Sequence, residues 1–145
     1  EAVAPVNKKS LDVINPEIEP SVGQISRGSV ADVDKAVAAA KGSFKSDSQT
    51  SREERIGYIE KIIKIYASRM QDIGNAISDE MGAPMALAQG SQAGAGYAHF
   101  SAALEALKTY EFESKLGNSQ ILHEPIGVCG LITPWNWPIN PIAQQ

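Results

Sequence analysis

The chain has few of the residues from which metal centres and disulfide frameworks are built. Its 145 residues include one cysteine, Cys129, and two histidines, His99 and His123, which have no cysteine or carboxylate at ligand spacing. We therefore expect neither an internal disulfide nor a metal site. A single cysteine suits a reducing compartment, although it also suits a secreted protein without disulfides, and we expect a cytoplasmic protein.

Long apolar runs and an excess of positive charge are also absent. No apolar run approaches the roughly 20 residues that span a bilayer, and the first residues lack the basic and apolar segments of a signal peptide. The 13 basic and 17 acidic residues give a net charge of −4, which is unsuited to a surface that neutralises phosphates. We therefore expect neither a membrane nor a nucleic acid among the partners. Apolar residues make up 43% of the chain, which is enough for a globular core, and the length suits one domain or part of a larger one.

Periodic apolar residues predict a β-ribbon followed by helices. Residues 11–14 and 22–25 alternate between apolar and polar, and proline-containing turns lie between them, so residues 10–27 are predicted to form a ribbon of two paired strands. Ser29 is a predicted N-cap, with Asp32 in the first helical turn. Helices are expected across residues 30–110.

The clearest helix in this region begins at a capping box formed by Ser51 and Glu54. An apolar stripe follows it from Ile56 to Met70 and is predicted to face the core. Further along, Gly90, Gly94 and Gly96 lie among alanines. They follow no predicted strand and do not form a phosphate-binding fingerprint, so we expect them to allow a close helix crossing.

A continuous apolar run, residues 127–132, lies between Pro125 and Pro134. The absence of polar alternation predicts a strand buried on both faces, as in a parallel sheet. Residues 133–138 are predicted to turn, and a helical stripe begins at Ile139. A doubly buried strand needs partner strands, and a crossover helix needs a following parallel strand. We therefore expect an N-terminal piece of a longer α/β protein.

The segment 124–138 reads Glu-Pro-Ile-Gly-Val-Cys-Gly-Leu-Ile-Thr-Pro-Trp-Asn-Trp-Pro, which closely resembles the strand-loop-helix of the NAD(P)-dependent aldehyde dehydrogenase superfamily. Residues 79–84 are similar to that family's E-x-G-K-P pattern, with Ala83 in place of the lysine. The resemblance implies that residues 1–145 form part of a Rossmann-type NAD(P)-binding domain, with the catalytic domain absent. Within this α/β fold it implies the ribbon at 10–27, the helices at 30–110, an oligomerisation-type strand segment at 118–126, and the first buried parallel strand with its turn and helix at 127–145.

The resemblance also implies a function. Family members attack an aldehyde with a cysteine thiolate, and hydride transfer to NAD or NADP then gives a thioester that water hydrolyses to the acid. It assigns to Asn136 the side-chain amide that stabilises the oxyanion. The nicotinamide-ribose side of the cofactor cleft would be lined by Ile132, Thr133, Pro134 and Trp135. The intact protein is expected to be a homodimer or homotetramer, and the chain alone is expected to be inactive, because the family's F-x-x-x-G-Q-x-C nucleophile segment is not in it.

Other interpretations remain open from the residues. Asn136 could cap the helix that follows it, and the two roles can coexist. Trp137 is expected in the core, and Cys129 is expected to be a small buried hydrophobe rather than the nucleophile. In place of an enzyme, the chain could be a non-catalytic helical interaction module, with residues 134–138 as an exposed recognition peptide. Within the superfamily, an acylating or semialdehyde dehydrogenase is a further alternative.

Overall fold

A computed structural model describes residues 3–7 and 9–145. The chain folds into two antiparallel hairpins and a set of packed helices. The elements in chain order are β1 (Lys9–Ile14), β2 (Ser21–Arg27), α1 (Val30–Asp47), α2 (Arg52–Ser68), α3 (Met70–Met81), a π-helical turn (Leu87–Gln92), α4 (Ala93–Thr109), β3 (Glu113–Leu116), β4 (Ser119–Leu122) and α5 (Ile139–Gln144).

Both hairpins have local causes in the sequence. In the first, β1 pairs with β2 so that Leu11 lies opposite Ile25, which confirms the predicted ribbon. The buried Asn15 begins its turn, and its side-chain oxygen accepts the backbone N–H of Glu17 at 2.8 Å. The second hairpin joins β3 to β4 through Gly117, whose φ of 60° lies in the left-handed region that glycine adopts without strain.

Helices α1 and α2 begin where side chains bond to free backbone N–H groups. The predicted capping box at α2 is present: Glu54 N–H donates to Ser51 Oγ at 3.1 Å, and Ser51 N–H donates to Glu54 Oε2 at 2.7 Å. At α1, the backbone N–H of Ser29 donates to Asp32 Oδ2 at 2.8 Å. These carboxylates lie at the start of their helices, where negative charge is stabilising.

A close crossing between α2, α4 and α5 occurs at Gly96. A Cβ atom built on this buried glycine would collide with Ile139 Cγ2 on α5 and with the Tyr66 hydroxyl on α2. The Tyr66 hydroxyl donates to the carbonyl of Ala93 at 2.6 Å, and burial raises the pKa of this phenol, which keeps it a donor. Gly90 and Gly94 have no heavy atom within 4 Å of such a Cβ, so the predicted crossing is confirmed at Gly96 and not at the other two glycines.

The buried core is small. The buried apolar residues are Ile77, Ala83, Ala88 and Ala93, with Ile139 packed against them. The accessible surface is 10789 Å², whereas a folded monomer of this length exposes about 7,200 Å². The apolar stripe of α2 is accordingly only half-buried, and Ile62 is 43% exposed, so the expectation that the whole stripe is core is wrong for the described chain.

The predicted buried strand at 127–132 is also not formed. Residues 127–132 have no regular secondary structure, and most of them are exposed, with Leu131 61% accessible. A strand buried on both faces needs a neighbour on each edge and covering layers above and below. The strands in the described part of the chain pair only within their own hairpins, so this apolar segment has nothing to pair with.

Candidate functional site

Asn136 lies in the turn that separates the exposed apolar segment from α5. Together with Pro134, Trp137 and Asn140 it lines an open depression of about 480 Å³. The Asn136 side chain is exposed, and no hydrogen-bond partner for its carboxamide is found among the described residues. The turn therefore presents an amide that is free to bind a group from outside.

The alternative role of Asn136 as a helix cap is not seen. The residue at the cap position of α5 is Pro138, and none of the side chains that the structure describes caps this helix. The first turn closes through the backbone instead, with the Asn140 N–H donating to the carbonyl of Trp137 at 3.1 Å. The Asn136 amide is thus not used by the helix that follows it.

The Asn136 carboxamide is a hydrogen-bond donor that carries no charge. It donates an N–H without titrating, so its donor capacity does not change with pH. Preorganised donors of this kind stabilise an oxygen on which negative charge develops, and removing one typically costs 10²–10³-fold in rate, or about 3–4 kcal/mol. The geometry therefore suits anion or oxyanion stabilisation by hydrogen bonding.

The four residues assigned to the cofactor wall form one accessible segment, but their side chains do not share one depression. Ile132 is 90% exposed and Trp135 is 80% exposed. Pro134 lines the same depression as Asn136, whereas Trp135 lines a separate apolar depression of about 640 Å³ between β1 and α3. Thr133 is exposed and lines neither of these depressions. The side chains of Pro134 and Trp135 therefore line two different depressions, although the residues are adjacent in the chain.

Two expectations about neighbouring residues are wrong. Cys129 is exposed rather than buried, because the strand that was to bury it is not formed. Trp137 is 38% exposed at the rim of the Asn136 depression rather than in the core. Among the residues that the structure describes, no cluster of three or more histidine, cysteine or acidic side chains could hold a metal ion.

A polar contact that sequence reasoning missed joins α4 to the start of α5. His99 Nε2 lies 2.7 Å from Asn140 Oδ1, and Gln144 Nε2 lies 3.4 Å from the same ring nitrogen. His99 and Asn140 are 41 positions apart, so no local pattern relates them. The available signal was Gly96, which marks the face of α4 on which α5 packs.

No helix in the described ranges combines the length and the apolar character needed to cross a bilayer.

The fold and the Pro-Trp-Asn turn define the class of protein. Residues 3–145 match the aldehyde dehydrogenase family, and the chain belongs to that family. The expected fold class is therefore confirmed: the chain is a mixed helix-and-strand portion of the aldehyde dehydrogenase fold. The segment 127–132, which was predicted as a buried strand, has no regular structure in it.

Individual relatives support this assignment at high similarity. The chain is 46% identical over 144 residues to a 3-succinoylsemialdehyde-pyridine dehydrogenase from a Pseudomonas species. The matched region covers 99% of this chain but only 30% of that relative. An aldehyde dehydrogenase structure from Bartonella henselae superposes with a TM-score of 0.93 at 42% identity, covering 96% of this chain and 30% of the other.

A second solved structure was determined with ligands. A cysteine-to-alanine variant of aldehyde dehydrogenase C from Pseudomonas syringae, in complex with NAD+ and octanal, superposes with a TM-score of 0.94 at 42% identity, covering 97% of this chain and 29% of that one. The chain thus spans about 30% of the length of the relatives it matches.

Proposed function

We propose that this chain is the N-terminal portion of an oxidoreductase that oxidises an aldehyde to a carboxylic acid with NAD(P)+, and that Asn136 is its oxyanion donor. The observation that carries the proposal is the exposed Asn136 carboxamide. It has no partner among the described residues, and it lines a depression directly after the Pro-Trp sequence of the family. The Pseudomonas syringae aldehyde dehydrogenase whose structure contains NAD+ and octanal supports the choice of substrate and cofactor.

In the proposed reaction, a cysteine thiolate outside this chain adds to the carbonyl carbon of the aldehyde. The carbon–sulfur bond forms as the carbonyl electron pair moves to oxygen, which becomes an alkoxide. The Asn136 side-chain N–H donates a hydrogen bond to this oxygen and lowers the barrier to its formation. Expulsion of hydride then leaves a thioester, and water hydrolyses that thioester to the acid and returns the thiol.

The residues before Asn136 suit one wall of a cofactor cleft. NAD(P)+, when bound, supplies the acceptor for the hydride. The backbone of residues 127–134 is not committed to helix or sheet, so its N–H and carbonyl groups are available. Ile132, Thr133, Pro134 and Trp135 present accessible surface along it, and apolar walls with a few polar backbone groups are typical of cofactor sites.

The proposal extends to assembly and location. We propose a cytoplasmic homodimer or homotetramer in which the 118–126 segment contributes to the subunit contact. In support, β4 is an exposed edge strand on which Ile121 and Leu122 are accessible, and an exposed apolar edge is a ready site for pairing with another chain.

The donor role is tested by Asn136→Ala in a full-length aldehyde dehydrogenase that carries this segment. The readout is the rate of the first NADH turnover, measured by stopped-flow absorbance with a short aliphatic aldehyde. We expect a fall of about 10²–10³-fold, because one preorganised donor is lost. The matched control is Asn75→Ala, which removes an exposed carboxamide on α3 that bonds Gln89. A near-normal first turnover in Asn136→Ala would defeat the assignment.

A further inference from the structure

We infer that His99 is a positioning residue for Asn136, because its imidazole holds the first turn of α5. The inference rests on the proposed function, since it states how the proposed oxyanion donor is kept in place. It concerns a residue of α4 that lies 37 positions before Asn136 in the chain.

The contact between His99 and Asn140 is a hydrogen bond between the two side chains. In the orientation that the structure gives the Asn140 carboxamide, its Oδ1 atom faces the ring and can only accept, so the His99 Nε2 atom 2.7 Å away is the donor. A ring nitrogen that donates its proton has no lone pair left for the Gln144 amide at 3.4 Å. Asn140 is therefore the partner that fixes the imidazole, and both side chains belong to half-buried residues.

The α5 helix depends on this contact because it is short. It has 6 residues, and isolated helices of this length are not stable in water. Two neighbouring residues of α5 hold it on α4: Ile139 packs on Gly96, and Asn140 bonds His99, one helical turn further along α4. The apolar contact sets the distance between the helices, and the directional hydrogen bond sets the rotation of α5 about its axis.

The position of Asn136 follows from that rotation. The backbone N–H of Asn140 donates to the carbonyl of Trp137, the residue directly after Asn136. The side chains of Asn136 and Asn140 line the same depression. On the other side of the turn, residues 127–134 have no regular structure. The bond from His99 to Asn140 is thus the polar link between the packed helices and the turn that carries the donor.

The test is a double-mutant cycle in a full-length aldehyde dehydrogenase that carries this segment, using His99→Leu, Asn136→Ala and the double variant. The readout is again the rate of the first NADH turnover, with the Kd for NAD+ measured separately by protein fluorescence. We expect His99→Leu to slow the first turnover by about 10- to 100-fold, because a displacement of about 1 Å can cost as much as 10²-fold. The Kd for NAD+ should change less than the rate, and His99→Leu should cause little further loss once Asn136 is already alanine.

A conservative variant separates positioning from general destabilisation. In His99→Gln the side-chain amide can still donate to Asn140 Oδ1, so the first turnover should recover most of the loss. Crystal structures supply a readout independent of activity: the Asn136 carboxamide should be displaced in His99→Leu and restored in His99→Gln. Asn75→Ala is the matched control, since it removes a side-chain hydrogen bond between α3 and the π-helical turn and leaves the contact between α4 and α5 in place.

Three results would overturn the inference: a normal rate in His99→Leu, equal losses in the leucine and glutamine variants, or fully additive losses with Asn136→Ala. Failure of the proposed function looks different, because Asn136→Ala alone would then react at a normal rate. If that happened the positioning role would fall as well, whatever His99→Leu did.

Discussion

Two glycines of α4, Gly94 and Gly96, are two residues apart but have opposite surroundings, and they give a sharp test of the helix packing. Gly96 lies where a Cβ would collide with Ile139 Cγ2 and the Tyr66 hydroxyl, and Tyr66 Cζ would be 2.8 Å away. Gly94, two residues earlier in the same helix, has no heavy atom within 4 Å of its would-be Cβ. The same substitution, glycine to alanine, should therefore have opposite effects at the two positions.

The size of each effect follows from separate contributions. Alanine is favoured over glycine in a helix interior by about 1 kcal/mol, so Gly94→Ala should stabilise the fold by up to that amount. At Gly96 the same gain is opposed by overpacking, which typically costs 1–3 kcal/mol. We place the cost near the upper end, since two different elements must move and Tyr66 must leave the Ala93 carbonyl that it bonds at 2.6 Å. The net loss for Gly96→Ala is then about 2 kcal/mol.

The assay is equilibrium urea unfolding of the two variants and the unchanged chain, followed by far-ultraviolet circular dichroism. The midpoint should rise for Gly94→Ala and fall for Gly96→Ala, with similar slopes in all three proteins. If Gly96→Ala were as stable as Gly94→Ala, the three-element contact at Gly96 would not exist as described. The apolar contact between Ile139 and Gly96, which the positioning role of His99 requires for the packing of α5 on α4, would then be absent.

Two further predictions concern exposure and pH. In the folded 145-residue chain, Cys129 is exposed, so a thiol reagent such as Ellman's reagent should modify it as fast as a small free thiol; strong protection that urea abolishes would show that the 127–132 segment is buried after all. Hydrogen bonds from the backbone and then the side chain of Ser51 lower the pKa of Glu54 below its usual 4.5. The capping box should therefore stabilise the fold fully above pH 4.5 and lose this contribution as the pH falls through the lowered value. Glu54→Gln should flatten that part of the profile of urea midpoint against pH, and parallel profiles for the two proteins would refute the assignment.

Local signals in the sequence predicted the elements whose causes are local. The capping box of Ser51 and Glu54 lies within four residues, and its hydrogen bonds are those that the residue types dictate. The predicted N-cap Ser29 and Asp32 in the first turn of α1 are likewise close in the chain, and the Ser29 N–H donates to Asp32 Oδ2 at 2.8 Å. These features need nothing from elsewhere in the chain, so pattern and propensity suffice to find them.

The features that the sequence did not predict correctly depend on tertiary partners. The residues of 127–132 are apolar enough for a doubly buried strand, yet a strand forms only where neighbours accept its hydrogen bonds, and the strands in the described ranges are paired elsewhere. The burial of Cys129 was inferred from that strand and failed with it. The His99–Asn140 bond was missed for the opposite reason, because both partners exist but no spacing rule joins residues on two packed helices.

The same missing partners bear on what Asn136 can do. On one side of its turn, α5 is held on α4 by Gly96 and His99. On the other side, the segment 127–134 has no regular secondary structure. An oxyanion donor accelerates a reaction only when it is already oriented before charge develops, and a donor fixed from one side retains rotational freedom that must be lost at that moment. In the proposed enzyme, pairing of 127–132 between neighbouring strands would remove this freedom from the second side. The strand and the helix therefore restrict the Asn136 side chain from two different sides. Weakening either of them should lower the reaction rate before it lowers aldehyde binding.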